Sequence, residues 1–455
     1  MKILFVNPPS PDGFVYIRDT NRSGRRSAER TIWPQTSLAM FASVLPEHDV
    51  KILDCLAEGT SYKMLFEQMK EFAPAWVIFN PISSIFVHDM IVAHFAKSLN
   101  AKTVIISPHA TALTEEVYGQ YPSLDHVIRY KPGDPEPEWM LRELITGQRS
   151  DGNTLSDIPP ARHDLLPTER YSLPFIGKKF SFVVTSRGCP YKCIYCRQGV
   201  MYGGSVRHRS VDSVIAEIVK YGLKNIALHS DTATLNKEWM YEFCRKIPFG
   251  VRWVCNSRVD TVDSFLLKRM EEKGCWMICY GIESGDDKVL ALNRKGANCA
   301  QAEQAVKWTK EAGIKVWGYF MLGLFGDTYE SMQRTISFAC DLPIDIANFA
   351  ISCPYPGTEW NKLCGGKGWI SGEGDFDQNF SAIVSQPDCP ASLVKQMQRR
   401  AYLKYYLSWR GVRLAFQSPR AWGFLIHVAA DHFRSIFKKT ARPNIPLAGS
   451  KVGEL

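Results

Sequence analysis

Arg187-Gly188-Cys189-Pro190-Tyr191-Lys192-Cys193-Ile194-Tyr195-Cys196-Arg197 is the stretch from which the rest of the chain is read. Its three cysteines stand four and three residues apart, a spacing that can converge on one iron–sulfur cluster. A four-iron cluster in an ordinary electron-transfer site takes four thiolates. Three leave one iron open, and an open metal position is where a substrate or cofactor coordinates. The competing reading is a zinc site with a distant fourth ligand. Zinc modules favour paired C-x-x-C elements, and no second C-x-x-C occurs in this sequence.

With Tyr195 between the last two cysteines, the stretch has the form C-x-x-x-C-x-aromatic-C. It resembles the signature of the radical S-adenosylmethionine (SAM) superfamily. The resemblance implies a [4Fe–4S] cluster on Cys189, Cys193 and Cys196, with the methionine amino and carboxylate groups of SAM on the open iron. It further implies reductive cleavage of SAM to a 5′-deoxyadenosyl radical, hydrogen abstraction from unactivated carbon, and an electron donor such as flavodoxin or ferredoxin.

Downstream, residues 180–365 read as repeated β/α units. A strand over 180–185 runs into the cysteine loop. Helices near 210–221, 236–246, 263–273, 298–312 and 328–341 alternate with strands over 225–229, 251–255, 276–282, 315–321 and 344–349. Six such units resemble the superfamily's partial (β/α)6 barrel. In β/α barrels the reacting groups sit at the C-terminal ends of strands, and polar residues cluster there. Asp231 in Ser230-Asp231-Thr232 takes the place where the family contacts the SAM amino group, although the common Gly-Gly-Glu is absent. Arg258 in Asn256-Ser257-Arg258 can pair with the SAM carboxylate, and Glu283 in Gly281-Ile282-Glu283-Ser284-Gly285 can accept from ribose hydroxyls. Gly323-Leu324-Phe325-Gly326-Asp327-Thr328 resembles the family's G-x-P-G-E-T turn, and Pro354-Tyr355-Pro356-Gly357-Thr358 closes the core. Cys275 and Cys279 share a strand face but stand about 13 Å apart at a rise of ~3.3 Å per residue, too far for one metal.

Upstream, residues 1–150 alternate apolar strands (2–6, 50–53, 76–79, 103–106, 126–128) with amphipathic helices, one of them N-capped by Ser61. The pattern implies a doubly wound parallel sheet, with ligands at its carboxyl edge. Ahead of a radical SAM core it resembles the cobalamin-binding domain of the cobalamin-dependent class, through Asn7-Pro8-Pro9, Trp33-Pro34…Leu38-Ala39 and Pro108-His109-Ala110-Thr111. The sequence departs from that class in lacking Gly-Gly before the histidine. It carries Lys131-Pro132-Gly133-Asp134-Pro135-Glu136 where the class has Gly-Glu-Gly-Glu. No Asp-x-His-x-x-Gly is present, so no lower-axial histidine is expected, and His109 reads as a turn residue. Residues 151–179, with Pro159, Pro160, Pro167 and Pro174, read as a linker.

Residues 366–455 read as a helical, basic and aromatic region. Between Arg399 and Arg442 lie ten Lys/Arg and one acid, Asp431. That +9 equals the net charge of the whole chain, so the remaining residues balance. Basic residues interleaved with Tyr and Trp suit a membrane interface. RNA binding competes for the same composition, but no RNA module or base-reading motif accompanies it, and no nucleic-acid partner is expected; a third reading has these helices simply cap the barrel with exposed Lys/Arg. Hydrophobic content of 45% and charged content of 22% fit a soluble globular protein of two or three domains. No run approaches the ~20 apolar residues of a membrane span. Thirteen cysteines without a secretory signal point to a reducing cytoplasm, possible association with the inner face of the membrane included through residues 399–442.

The resemblance therefore implies a cobalamin-type radical SAM enzyme acting on a hydrophobic substrate such as a lipid, isoprenoid or tetrapyrrole. Its motifs fall with the anaerobic Mg-protoporphyrin ester cyclase and hopanoid branch, whose cyclitol ether synthases share a pattern like Pro8-Pro9-Ser10-Pro11-Asp12-Gly13-Phe14. Cobalamin-dependent C-methylation is the favoured expectation. Cyclisation or rearrangement with a vestigial cobalamin domain is the alternative, and a non-enzymatic cobalamin or iron–sulfur sensor the weakest.

Overall fold

The computed structural model describes residues 1–18, 24–27, 31–130, 132–148, 154–173, 177–371 and 376–408. Its first sheet comprises β1 (Lys2–Asn7), β2 (Asp49–Asp54), β3 (Trp76–Phe79), β4 (Lys102–Ile106) and β5 (His126–Ile128). All pairings are parallel, in the order β2-β1-β3-β4-β5. Ile3, Leu4, Phe5 and Val6 are all fully buried, as a strand covered by helices on both faces requires. Ser61 accepts from the Met64 N–H and caps the helix Tyr62–Phe72, which turns Leu65 and Met69 onto the sheet. In this strand order the topological switch point lies between β1 and β3.

The second sheet holds β6 (Phe180–Val184), β7 (Asn225–His229), β8 (Arg252–Ser257), β9 (Cys275–Glu283), β10 (Lys315–Leu322) and β11 (Ile346–Ile351). They pair in sequence order, all parallel, with β6 and β11 as the edges. Each crossover is a helix with a polar cap. Asn298 and Gln301 form a reciprocal capping box for Cys299–Glu311, as do Thr328 and Ser331 for Tyr329–Asp341. The doubly wound sheet and open β/α barrel expected from the sequence are therefore both present.

The open edge at β11 is closed by the helix Ala391–Tyr406. The Tyr402 hydroxyl accepts from the Phe349 N–H and the Gln398 amide donates to the Phe349 carbonyl. Tyr406 serves Ala347 in the same way. Alternate residues of an edge strand point their backbone groups outward, and these side chains satisfy them. Tyr402 and Tyr405, expected to face a membrane, are instead buried against the barrel. The remainder of the basic region, residues 409–455, lies outside the described residues. Among the described residues no helix is long and apolar enough to cross a membrane.

The two sheets share packing. The helix Thr36–Ser43 is buried along its whole length, and the Thr36 hydroxyl donates to the Phe182 carbonyl of β6. One apolar cluster contains Ile3 and Phe5 of β1, Leu155 and Tyr171 of the connector, and Val184 and Tyr202 from the barrel side. A buried ion group crosses the same junction. Arg187, directly before the cysteine loop, donates to Glu136 at 2.6 Å and to Glu138 at 2.8 and 2.5 Å. All three side chains are fully buried, and Arg207 adds a second cation 2.9 Å from Glu136. Burial alone would lower the Arg187 pKa, but Glu138 and Glu136 hold it well above the ordinary range. Glu136 closes the stretch that stands in place of a Gly-Glu-Gly-Glu turn, and Glu138 follows it in the first turn of the helix Pro137–Thr146.

Breaking a buried pair outright costs roughly 3–5 kcal/mol; removing Glu138 costs part of that, since Arg187 keeps Glu136. Glu138→Ala should accordingly lower the thermal midpoint by several degrees, at about 2–4 °C per kcal/mol for a unit of 150–250 residues. An unchanged midpoint in differential scanning calorimetry would show that the network contributes nothing.

Candidate active site

The cysteine loop follows β6 and a short pairing of Ser186–Arg187 with Arg207–His208. Its entry requires glycine. Gly188 has φ +92°, and a Cβ there would lie 1.9 Å from the Ser205 carbonyl oxygen. Asp231, just beyond β7, accepts from the Gly188 N–H at 3.0 Å and so holds the loop from the barrel side. The half-buried Cys189, Cys193 and Cys196 line one cavity of about 340 Å³ with Asp231, Arg258 and Glu283. All six residues singled out in the sequence are brought together at the carboxyl edge of the barrel. The described residues contain no group of three His, Cys, Asp or Glu converging on a single ion. Burial raises the Cys189 and Cys196 thiols, so loading iron there displaces protons.

Arg258 is placed as expected but already engaged. Its guanidinium makes a bidentate pair with Asp260, 2.8 Å on each arm, and donates to the Lys295 carbonyl at 2.7 Å. It also lies 3.4 Å from the centre of the Tyr191 ring. Tyr191 sits within the cysteine loop, so Arg258 braces that loop. Glu283 has φ +72°, a backbone conformation rare for a residue with a Cβ. The register shifts between Gly281 and Glu283 where β9 meets β10, and this bulge turns the carboxylate toward Lys295, 2.9 Å away. A Cβ at Gly281 would lie 2.7 Å from Glu283 Oε1. The glycine is therefore what admits the pair.

Several contributors to the cavity were not singled out as site residues in the sequence, although Trp33 was part of the resemblance to a cobalamin-binding domain. Lys295 follows a short helix, Asp287–Leu292, that carries no clear periodicity. Ile17, Arg25 and Trp33 arrive from the N-terminal segment, where Tyr16–Ile17 pairs with Arg25–Arg26. Arg197, directly after Cys196, points toward the first sheet and donates to the Ser83 hydroxyl at 3.3 Å. Its neighbour in the sequence was the only available signal. The turn Gly323–Thr328 stays off the cavity wall. Asp327 there accepts from the Gly323 and Leu324 N–H groups and the Ser331 hydroxyl, which makes it a turn and cap residue.

At the carboxyl edge of the first sheet, His109 Nδ1 lies 3.0 Å from the Ser83 hydroxyl and its ring packs on Phe86. Burial, with Arg197 adding to it, pushes its pKa down to about 4, which leaves the ring neutral. The switch point between β1 and β3 is filled by the chain itself. Arg18 pairs with Asp89, both fully buried, at 2.7 Å. The same guanidinium donates to Asn7 and to the Pro8 and Pro9 carbonyls.

Three cysteines spaced for a cluster, at the carboxyl edge of an open β/α barrel behind a flavodoxin-ordered sheet, line a half-open cavity suited to a cluster-bearing enzyme. Residues 183–339 match the radical SAM superfamily model. The chain is 30% identical to an uncharacterized methyltransferase of Pyrococcus horikoshii, over 90% of this chain and 93% of the relative. It is 25% identical to the anaerobic magnesium-protoporphyrin IX monomethyl ester cyclase of Cereibacter sphaeroides, over 79% of this chain and 63% of that protein. Its fold is similar to that of the radical SAM methyltransferase TsrM of Kitasatospora setae, solved with cobalamin and a [4Fe–4S] cluster. The TM-score there is 0.61 at 16% identity, covering 81% of this chain and 79% of the other. The chain belongs to the radical SAM superfamily. It is an enzyme whose cofactors include a [4Fe–4S] cluster and SAM.

Gly281→Ala should push Glu283 away from Lys295 and lower 5′-deoxyadenosine formation by about tenfold, or ~1.4 kcal/mol, with the iron content of wild type. Wild-type turnover in that variant, followed by chromatography, would remove the Glu283–Lys295 pair from the site.

Proposed function

We propose that Cys189, Cys193 and Cys196 hold the cluster and that Asp231, Arg258 and Glu283 surround SAM at its open iron. The enzyme then abstracts hydrogen from unactivated carbon of a hydrophobic substrate, and cobalamin-dependent C-methylation is the favoured outcome. The observation that carries this reading is the convergence of all six side chains on one cavity. When bound, the reduced cluster supplies one electron that cleaves SAM to methionine and the 5′-deoxyadenosyl radical. An external one-electron donor of the flavodoxin or ferredoxin class restores it. Asp231 fixes the entry of the cysteine loop, Arg258 braces it through Tyr191, and Glu283 presents an oxygen to hydroxyl donors. Ile17, Trp33, Phe320 and Met321 exclude water and favour an apolar substrate. A membrane surface reached through residues 399–442 would supply such a substrate.

Cobalamin enters this proposal through the order of the two sheets and the likeness to TsrM, with residues 1–150 as its domain and 180–365 as the radical SAM core. A cobalamin held there would be expected to take no histidine from the protein, because the sequence lacks Asp-x-His-x-x-Gly. When bound, cobalamin would serve as the methyl carrier. A second reading, hydrogen abstraction followed by cyclisation or rearrangement without methyl transfer, is favoured by one observation. Arg18 and Asp89 occupy the switch point where this class of sheet receives ligands.

Anaerobic reconstitution with SAM, a reductant, hydroxocobalamin and a lipid extract separates the readings. Methylation yields one S-adenosylhomocysteine and one 5′-deoxyadenosine for each methyl group added. Rearrangement yields 5′-deoxyadenosine alone and no retained cobalamin. In either case Cys193→Ala should abolish the iron chromophore and 5′-deoxyadenosine together, and normal formation in that variant would overturn the cluster assignment.

A further inference from the structure

Arg197 differs from the other deeply placed cations of this fold. Arg18 has Asp89, Arg187 has Glu136 and Glu138, Arg258 has Asp260, and Lys295 has Glu283. Arg197 is 6% exposed and forms part of the cavity wall. Among the described residues it has no carboxylate partner. Its hydrogen bond goes to the neutral Ser83 hydroxyl, and its guanidinium lies 4.7 Å from the centre of the Tyr355 ring. The Tyr355 hydroxyl, itself 4% exposed, has no hydrogen-bond partner among the described residues. A buried charge without a counter-charge is costly. A fold that pairs its other buried cations and leaves this residue of the cavity wall without a carboxylate has a place for an anion beside it.

The cavity also limits what carries that anion. The same cavity is lined by Ile17, Trp33, Phe320 and Met321. The acid Asp231 is turned to the Gly188 N–H, and Glu283 to Lys295. Arg197 reaches instead toward Ser83 of the first sheet, away from the Glu283–Lys295 pair. We propose that Arg197 anchors an anionic group, a carboxylate or a phosphate ester, at one end of an otherwise apolar substrate. The planar guanidinium fork matches either group through two parallel hydrogen bonds. Because Arg197 directly follows Cys196, the anchor sets which carbon of the substrate lies over the cluster. This inference rests on reading the cavity as the reaction chamber.

The test uses full-length enzyme carrying its cluster, kept anaerobic, and three eight-carbon probes: octanoate, octyl phosphate and 1-octanol. Thermal midpoints are titrated for wild type, Arg197→Gln and Arg197→Lys, with iron and sulfide counted for each. Octanoate or octyl phosphate should raise the wild-type midpoint saturably while octanol does not, and the anion that binds identifies the group. Arg197→Gln should weaken that binding by about tenfold or more, with wild-type iron content, and Arg197→Lys should restore most of it. Equal anion binding by wild type and Arg197→Gln, or octanol binding as well as the anions, would overturn the proposal. So would an Arg197→Gln protein that loses iron but still binds the anion, because the guanidinium would then serve the cluster. If Arg197→Gln loses both, Arg197→Lys decides: binding retained supports the anchor, and binding lost with the cluster loaded refutes it. A wild type that takes up no cluster would instead count against the functional reading above.

Discussion

The pairing of Arg187 with Glu136 and Glu138 is the interaction on which the rest of this architecture depends. The two carboxylates belong to the first sheet's side of the molecule, and the arginine is the last residue before the cysteine loop. Fully buried, the group is costly to assemble and more costly to break, so it fixes one arrangement of the two sheets. With their carboxyl edges held together, a cavity forms that neither sheet would enclose alone. The cysteines reach it from the barrel, while Ile17, Arg25 and Trp33 reach it from the N-terminal segment.

Within that cavity the charges are arranged in pairs that hold backbone in place. Asp231 caps Gly188, Arg258 joins Asp260 and Tyr191, and the left-handed Glu283 is held by Lys295. A strained non-glycine residue persists only where its surroundings over-determine it, and the Lys295 contact with the tight fit at Gly281 does so here. The cysteine loop is therefore held in place by side chains of the protein itself. This explains how a loop with two glycine-free turns of cysteine spacing keeps its three sulfurs directed to one space.

Much of this was legible in the sequence, for a physical reason. Apolar runs such as Ile3–Val6 and the helical periodicity after Ser61 report local burial, which composition records directly. That Asp231, Arg258 and Glu283 would meet at one edge was legible because a β/α barrel gathers its strand ends there. Long-range ion pairs were not legible. Arg18 and Asp89 are 71 positions apart, and Arg187 lies 49 positions from Glu138. Nothing in the local pattern of either partner announces the other. The same limit applies to Tyr402 and Tyr405, whose neighbours are basic and suggested a wet surface. The Tyr402 hydroxyl answers the unpaired backbone of β11 and the Tyr405 hydroxyl donates to the Ile344 carbonyl just ahead of it, demands visible only once that strand is known to be an edge.

The central claim is that the three cysteines leave one iron open to SAM inside the cavity shared by the two sheets. Electron–nuclear double resonance on the reduced holoenzyme tests it most directly, with SAM carrying ¹⁷O in the methionine carboxylate and ¹⁵N in the amino group. The account predicts resolved hyperfine coupling from both labels to the cluster. Absence of both couplings, with SAM bound and the cluster intact, would contradict it.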